Sequence, residues 1–215
     1  MTILQKIGLD SKSPAETILT TYNQNETPHM SAIGIQTVNE DKIKMKLYTG
    51  TKTLQNIQNK KAATINIVNN AVFLSKQGLP EIFSRKIKSS DFAKAKNVNS
   101  PYLKQADAII EFKVEKTIEK TVSDRIGKSN ITEVIGSVKN MEVKNSYPHP
   151  FKRAEFYLIE SAILATKAIE SKKRQKEKLA HEYVEKIEIF KNKCEKIAPE
   201  SRELKTISEI LDYFE

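Results

Sequence analysis

The chain has one cysteine, no tryptophan, three histidines and six glycines in 215 residues. A lone Cys194 excludes an internal disulfide. The scattered histidines supply none of the spacings that build a zinc or iron site. No histidine shares a motif with Cys194, which sits on a helical apolar stripe and reads as core packing, not as a nucleophile. No Ser, His and Asp fall together in a motif that would form a triad. The 15 aromatics (seven Tyr, eight Phe) form no alternating surface platform of the kind that stacks single-stranded bases. No apolar run approaches the roughly 20 residues that span a bilayer. Gln5, Lys6 and Asp10 interrupt Ile3, Leu4 and Ile7, so the N-terminus lacks a signal-peptide core and a cytoplasmic location is expected, with no membrane partner.

Acidic residues are the other shortage, with 36 Lys and Arg against 27 Asp and Glu. From Pro150 onward the counts are 14 against 13, and before it 22 against 14, so the positive excess lies in the first 149 residues. That suits an anionic cofactor or substrate. Loose binding to phosphodiester backbones would also fit, but without a stacking platform nucleic acid ranks last. The densest run, Lys172-Lys173-Arg174-Gln175-Lys176, lies between two helical patterns and reads as a solvated helix end. With 39% hydrophobic residues the chain can build a sizeable core in one or two domains.

The most informative stretch runs from Lys42 to Val68. Lys42, Lys44 and Lys46 alternate with Ile43, Met45 and Leu47, the period-2 pattern of a strand with one buried face. The turn Thr49-Gly50-Thr51-Lys52-Thr53 follows, and Leu54 and Ile57 then mark a short helix. Its first N–H groups lack intrahelical partners and form a ready anion site. The hydroxyls of Thr49, Thr51 and Thr53 and the charge of Lys52 can converge on one phosphate. An ordinary capped helix, with Thr51 or Thr53 as cap and Lys52 solvated, satisfies the same pattern. The turn has neither the Gly-x-x-x-x-Gly-Lys-Ser/Thr nor the Gly-x-Gly-x-x-Gly spacing of the common nucleotide loops.

Upstream, Glu16–Tyr22 and His29–Val38 read as strands flanking the polar hairpin connection Asn23–Pro28. In order, ILTTYN, the hairpin ending in Pro28 with HMSAIGI, LYTGTKTLQNI, TINIV and the later KRAEFYLIESAILATK resemble the FMN-binding split-barrel superfamily. The likeness is strongest to the domain-of-unknown-function 447 family, whose members are mainly archaeal and uncharacterised. It spans most of Glu16–Lys167. The resemblance implies FMN as cofactor. The phosphate would be held by Thr49, Thr51, Lys52, Thr53 and Asn56, and the ring would pass beside Met30, Ser31, Ala32 and Ile33 near a subunit interface. Small residues such as Ser31, Ala32 and Gly34 suit a strand under a flat ring, and equally a tight barrel strand. Where family members often carry Asn after the hairpin proline this chain has His29, to which no catalytic role is assigned. Arg153 and Glu160 match the recurrent pattern of the last motif. They would either border the flavin or form an ion pair across the domain junction.

Lys61–Val68 reads as a further strand. The apolar piece Ala71–Leu79 belongs by resemblance to the barrel, with Asn69-Asn70 as a turn. Pro80–Tyr102 reads as an insertion or lid that could shape a substrate pocket, with a helix over Ser90–Lys96. Ala108, Ile110, Phe112 and Val114 alternate with Glu111, Lys113 and Glu115, giving a strand over Ala106–Lys120. Ser123–Asn130 is a turn, and Ile131–Lys144 a second long strand that closes the sheet as a hairpin. Pro148-His149-Pro150 breaks regular structure and marks a boundary. Beyond it the period becomes helical. Leu158, Ala162, Ala165 and Ile169 form one stripe, with Phe156, Ile159 and Ile163 beside it. A second helix carries Leu179, Tyr183, Ile187, Phe190, Cys194 and Ile197, and a third Leu204, Ile207, Leu211 and Phe214.

The expected fold is therefore α+β: an FMN-binding, flavin-reductase-like split β-barrel over residues 1–147 and a C-terminal helical domain over 148–215. The function implied is a flavin-dependent oxidoreductase, a homodimer, with an unknown small-molecule substrate for which a pyridine nucleotide is a candidate, and with the electron donor unassigned. No protein acid or base is named as catalytic and no metal is expected. The alternative is a flavin- or ligand-binding protein without turnover, whose helical domain makes dimer or partner contacts.

Overall fold

The computed structural model describes residues 2–84, 88–145, 147 and 149–215, and these divide into two compact units. The first is built from residues 2–68, 88–122, 128–145 and 147, and the second from 69–84, 123–127 and 149–215. Pro148 of the expected boundary lies outside the described residues.

The first unit opens with a single helical turn, α1 (Ile3–Lys6), followed by β1 (Ala15–Tyr22), β2 (Pro28–Thr37), β3 (Lys42–Tyr48), α2 (Lys52–Lys60) and β4 (Ala62–Ile67). The long hairpin β7 (Ala108–Ser123) and β8 (Lys128–Val143) completes a closed barrel in the order β1-β2-β3-β8-β7-β4. Period-2 alternation turns Leu19, Ile35, Ile43, Met45, Leu47, Ala63, Ile65, Ile110, Phe112 and Val134 into one core, joined by Leu54 and Ile57 of α2. The helix that follows the phosphate-like turn thus contributes its apolar side to the barrel interior, which fixes where its N-terminus sits. Lys61, in the left-handed region at φ 53, ends α2 and lets β4 begin at once.

Between β4 and β7 the structure departs from the sequence reading. Ala71–Leu79 is no barrel strand: Ala71–Gly78 is a helix, α3, that belongs to the second unit. Asn70 caps it, its side chain accepting from the Phe73 N–H at 2.9 Å, so the Asn pair is a helix start. The expected helix over Ser90–Lys96 is a 3-10 turn, Ser89–Asp91, running into the short strand β5 (Phe92–Lys94), which pairs with β6 (Pro101–Leu103). This segment lies on the outside of β1 and β4. Thr20 Oγ donates to the Pro101 carbonyl at 2.6 Å, and Thr64 and Ser100 share a hydroxyl contact at 2.5 Å. The Leu103 N–H donates to Asn66 Oδ1 at 2.7 Å.

The second unit is helical: α3, α4 (Arg153–Lys173), α5 (Glu177–Ile197) and α6 (Arg202–Asp212). Leu158, Ala162, Ala165 and Ile169 are buried as the stripe requires, together with Ile187, Cys194, Ile207, Ile210 and Leu211. The companion stripe is not closed, since Phe156 is 51% exposed. The hairpin tip 123–127 joins this unit, with Ile126 packed among Ala168 and Tyr183. Among the described residues no helix is long and apolar enough to cross a membrane.

Candidate functional site

The Tyr48–Thr53 turn forms where β3 ends and the chain must reverse into α2. Gly50 takes φ +85, a conformation that favours glycine, and a Cβ there would meet nothing within 4 Å. The Thr49 N–H donates to the Asn130 carbonyl at 3.0 Å, which ties the start of the turn to β8. Thr51 is the N-cap, as the simpler reading of the pattern has it. Its hydroxyl accepts from the Leu54 N–H at 3.4 Å and donates to the Tyr48 carbonyl at 2.9 Å. That hydroxyl proton is committed and is not available to a phosphate. The Lys52 and Thr53 N–H groups remain. Among the described residues neither has an acceptor, as expected for the first turn of a helix. Thr49 and Lys52 are exposed beside them. Two open amides, a helix N-terminus and an exposed ammonium fit a phosphate.

Thr53 is 4% exposed and is the hub of the site. Its hydroxyl contacts Ser31 Oγ at 2.6 Å and His29 Nε2 at 3.0 Å, so β2 and the start of α2 are hydrogen-bonded to each other. Alternation explains the meeting. His29, Ser31, Ile33 and Ile35 share one face of β2, and Ile33 and Ile35 pack in the barrel core, which carries His29 and Ser31 to the part of that face where α2 lies. Met30 and Ala32 point the other way, Met30 buried at 2% opposite Thr20 and Ala32 half-buried opposite Ile18. The four expected ring neighbours therefore split into two pairs on opposite faces.

Asn56 is placed differently from the expectation. It is 2% exposed, and both protons of its amide are donated within the protein, to Thr21 Oγ and to Asn23 Oδ1 at 3.0 Å each. It clamps α2 to the β1–β2 hairpin, has no proton left for a phosphate, and fixes the N-terminus of α2 indirectly. An ion pair between Lys60 and Glu26 adds a second clamp at the far end of the helix.

The backbone of β2 offers an edge as well. Asn23 and Thr27 are hydrogen-bonded across the hairpin. Counting the antiparallel alternation from that pair leaves Ala32 with its N–H and C=O directed away from β1. Among the described residues β3 pairs with β2 only at Ile35, Gln36 and Thr37. Among the described residues the Pro28–Gly34 half of this edge forms no ladder with β3.

Arg153 and Glu160 are both exposed on α4 of the second unit, and among the described residues no ion pair joins them. Cys194 is buried, and burial pushes its thiol up from the ordinary range, which disfavours the thiolate and any nucleophilic role. What sequence reading missed is the shared hydroxyl between His29, Ser31 and Thr53. The signal was present, because strand alternation puts His29 on the same face as Ser31.

The fold has known relatives. An FMN-bound protein of Methanosarcina mazei, assigned to the same family model as this chain, matches with a TM-score of 0.73 at 20% identity over 97% of this chain and 98% of that one. The flavin reductase HpaC, solved in complex with NADP+, matches with a TM-score of 0.50 at 16% identity over 68% of this chain and 89% of that one. Flavoredoxin of Desulfovibrio vulgaris (Miyazaki F) follows at 0.49, with 21% identity over 62% and 72% of the respective chains. At these identities what is shared is the fold, a split β-barrel of the flavin-reductase type, and the Methanosarcina mazei match, at 97% of this chain, extends over the helical region as well. The family model described as the N-terminal domain of a protein of unknown function (DUF447) matches residues 15–145, well over half of the chain, and the chain belongs to that family.

Proposed function

We propose that the first unit binds FMN, with the phosphate at the start of α2 and the ring along the open edge of β2. The observation that carries this reading is the 2.6 Å contact between Ser31 and Thr53. It joins the two chain segments that a flavin must touch, 22 residues apart in sequence. The FMN-bound relative of the same family supports the choice of cofactor. Lys52 and the open Lys52 and Thr53 amides hold the phosphate, and Thr49 lies exposed at its rim. Asn56 and Thr51 hold the helix that presents them. The Ala32 backbone meets the ring edge, with Met30 and Ala32 on one side of the strand and Ser31 and Ile33 on the other.

When bound, FMN supplies hydride or electron transfer. No side chain of the site is required as acid or base; the protein's part is to position and shield. The reading extends to a flavin-dependent oxidoreductase acting as a homodimer, with a pyridine nucleotide as electron donor and a small-molecule substrate. The partner surface is the Pro28–Gly34 edge, which a second copy would cover. The NADP+ complex of the flavin reductase of similar fold supports the choice of donor class.

The test is direct. Replacing Lys52 and Thr53 together by Ala removes one ammonium and the hub hydroxyl. A hydrogen bond to a charged group contributes about 1.5–3 kcal/mol, so FMN affinity should weaken by about tenfold to a hundredfold with the fold intact by circular dichroism. Unchanged affinity would remove the phosphate from this turn. Oxidation of NADH or NADPH by the FMN-loaded protein separates an oxidoreductase from a flavin carrier without turnover.

A further inference from the structure

We infer that the loop of the β1–β2 hairpin, residues 23–27, is a positioning element for the flavin phosphate; this rests on the flavin reading above. The loop sets the angle of α2 through Asn23 and Asn56, and so gives the site its preference for a phosphorylated flavin without touching the phosphate.

Two kinds of contact hold α2, and they fix different things. Leu54 and Ile57 pack into the barrel core. Apolar contact has no direction, so it sets how deep the helix lies and leaves its tilt and rotation soft. Direction comes from Asn56, whose amide donates to Thr21 Oγ of β1 and to Asn23 Oδ1 of the loop at 3.0 Å each. Lys52, Asn56 and Lys60 stand four residues apart and share one stripe of the helix. The loop grips the two far members, Asn56 through Asn23 and Lys60 through Glu26. The near member, Lys52, is exposed at the phosphate position, beside the open amides of Lys52 and Thr53. A helix gripped at its middle and far end has its N-terminus aimed.

The hydrogen bonds of the loop run in one direction, because they start from a backbone donor. The Thr27 N–H donates to Asn25 Oδ1 at 3.3 Å, so that atom is an acceptor, and it takes the Thr27 hydroxyl proton as well at 2.6 Å. With its proton committed, Thr27 Oγ can only accept from the Asn23 amide, at 2.9 Å. Asn23 is thereby oriented with its Oδ1 toward Asn56. Backbone bonds close the loop around this chain, from the Asn23 N–H to the Thr27 carbonyl at 2.9 Å and from the Glu26 N–H to the Asn23 carbonyl at 3.0 Å. FMN uses the start of α2 and depends on its angle. Riboflavin has no phosphate and is indifferent to it. By reciprocity, a phosphate bound at the start of α2 steadies the loop.

The experiment compares the two flavins. Asn23 is half-buried and Thr27 exposed, so water can replace either side chain and the barrel survives the loss. Read by quenching of flavin fluorescence, Asn23→Ala should weaken FMN about fivefold, the size expected of a residue that acts at one remove, and leave riboflavin unchanged. The comparison is a double-mutant cycle in which the phosphate is one of the two changes. A residue that merely supported the barrel would lower both affinities in the same ratio. Thr27→Ala should show the same pattern more weakly, and Thr27→Ser, which keeps the hydroxyl, should restore the parent affinity. Hydrogen exchange of the Asn23 and Glu26 amides in the parent protein should slow with FMN and not with riboflavin. Equal losses for the two flavins, or FMN affinity unchanged in Asn23→Ala, overturns the positioning role and leaves flavin binding standing. A parent protein that does not quench FMN overturns both readings. Should Asn23→Ala fold poorly, exchange in the parent protein decides alone.

Discussion

Gly136 on β8 stands against the widest side chain of the barrel core. A Cβ at this position would lie 2.2 Å from the Lys113 carbonyl oxygen and 2.6 Å from Phe112 Cζ, and Phe112 is fully buried. The backbone oxygen cannot step aside without breaking the strand it belongs to. Gly136→Ala is therefore an overpacking change. It should destabilise the first unit by about 1–3 kcal/mol or more, read as a lower midpoint in urea with the slope preserved. Residue-level roles were unevenly legible in the sequence. The Thr51 cap and the exposed Lys52 follow from local pattern, and the structure has both. Asn56 could not be assigned that way, because its partners Thr21 and Asn23 lie 35 and 33 residues away. Gly136 looks like any strand glycine until Phe112 is placed opposite.

At the scale of elements, the three strands before α2 and the long hairpin after it were readable because alternation over seven residues or more is a strong signal. The stretch between β4 and β7 was not, since its elements are too short for a period to show. Helix α3 is eight residues and β5 and β6 are three each. What holds the β5–β6 segment to the barrel is polar and out of sequence reach. The Asn66 amide donates to the Ile18 carbonyl at 2.9 Å and to Thr20 Oγ at 2.9 Å, while its oxygen takes the Leu103 N–H. Asn66 is wholly buried. Glu111, 1% exposed, holds the neighbouring loop through the Lys96 and Asn97 N–H groups at 3.2 and 2.5 Å. Asn66→Ala leaves the Leu103 N–H without its acceptor, at a cost of about 1–3 kcal/mol. The effect should be local. Limited proteolysis should cut the variant sooner within residues 95–104, with cleavage elsewhere unchanged; uniform acceleration would mean a global loss instead.

At the scale of the whole molecule, the two units share a charge logic that the sequence count only outlined. Among the described residues each has an ion pair that shifts both partners. In the barrel, Lys42 of β3 meets Glu115 of β7 at 2.9 Å. The hydrogen bond with Lys42 holds the Glu115 carboxyl below the usual range, and the same bond raises Lys42. In the helical unit, Arg125 of the hairpin tip meets Glu182 of α5 at 2.6 Å, which lowers Glu182 and raises Arg125 through their shared hydrogen bond. A carboxyl whose folded pKa lies below its unfolded value binds fewer protons folded than unfolded. Its contribution is complete above about pH 4.3 and is lost as pH falls through the lowered folded value. For Lys42 and Arg125 the sign reverses, with the contribution lost only as pH rises through their raised values. Both pairs are intact across the neutral range, and acid removes both. Urea midpoints should therefore fall from pH 5 to pH 3 in the parent protein. Glu115→Gln should reduce that fall for a probe in the barrel, and Glu182→Gln for a probe in the helices. If each substitution flattened the acid limb of both probes equally, the two units would be unfolding as one cooperative body, and the division by contacts would have no thermodynamic counterpart.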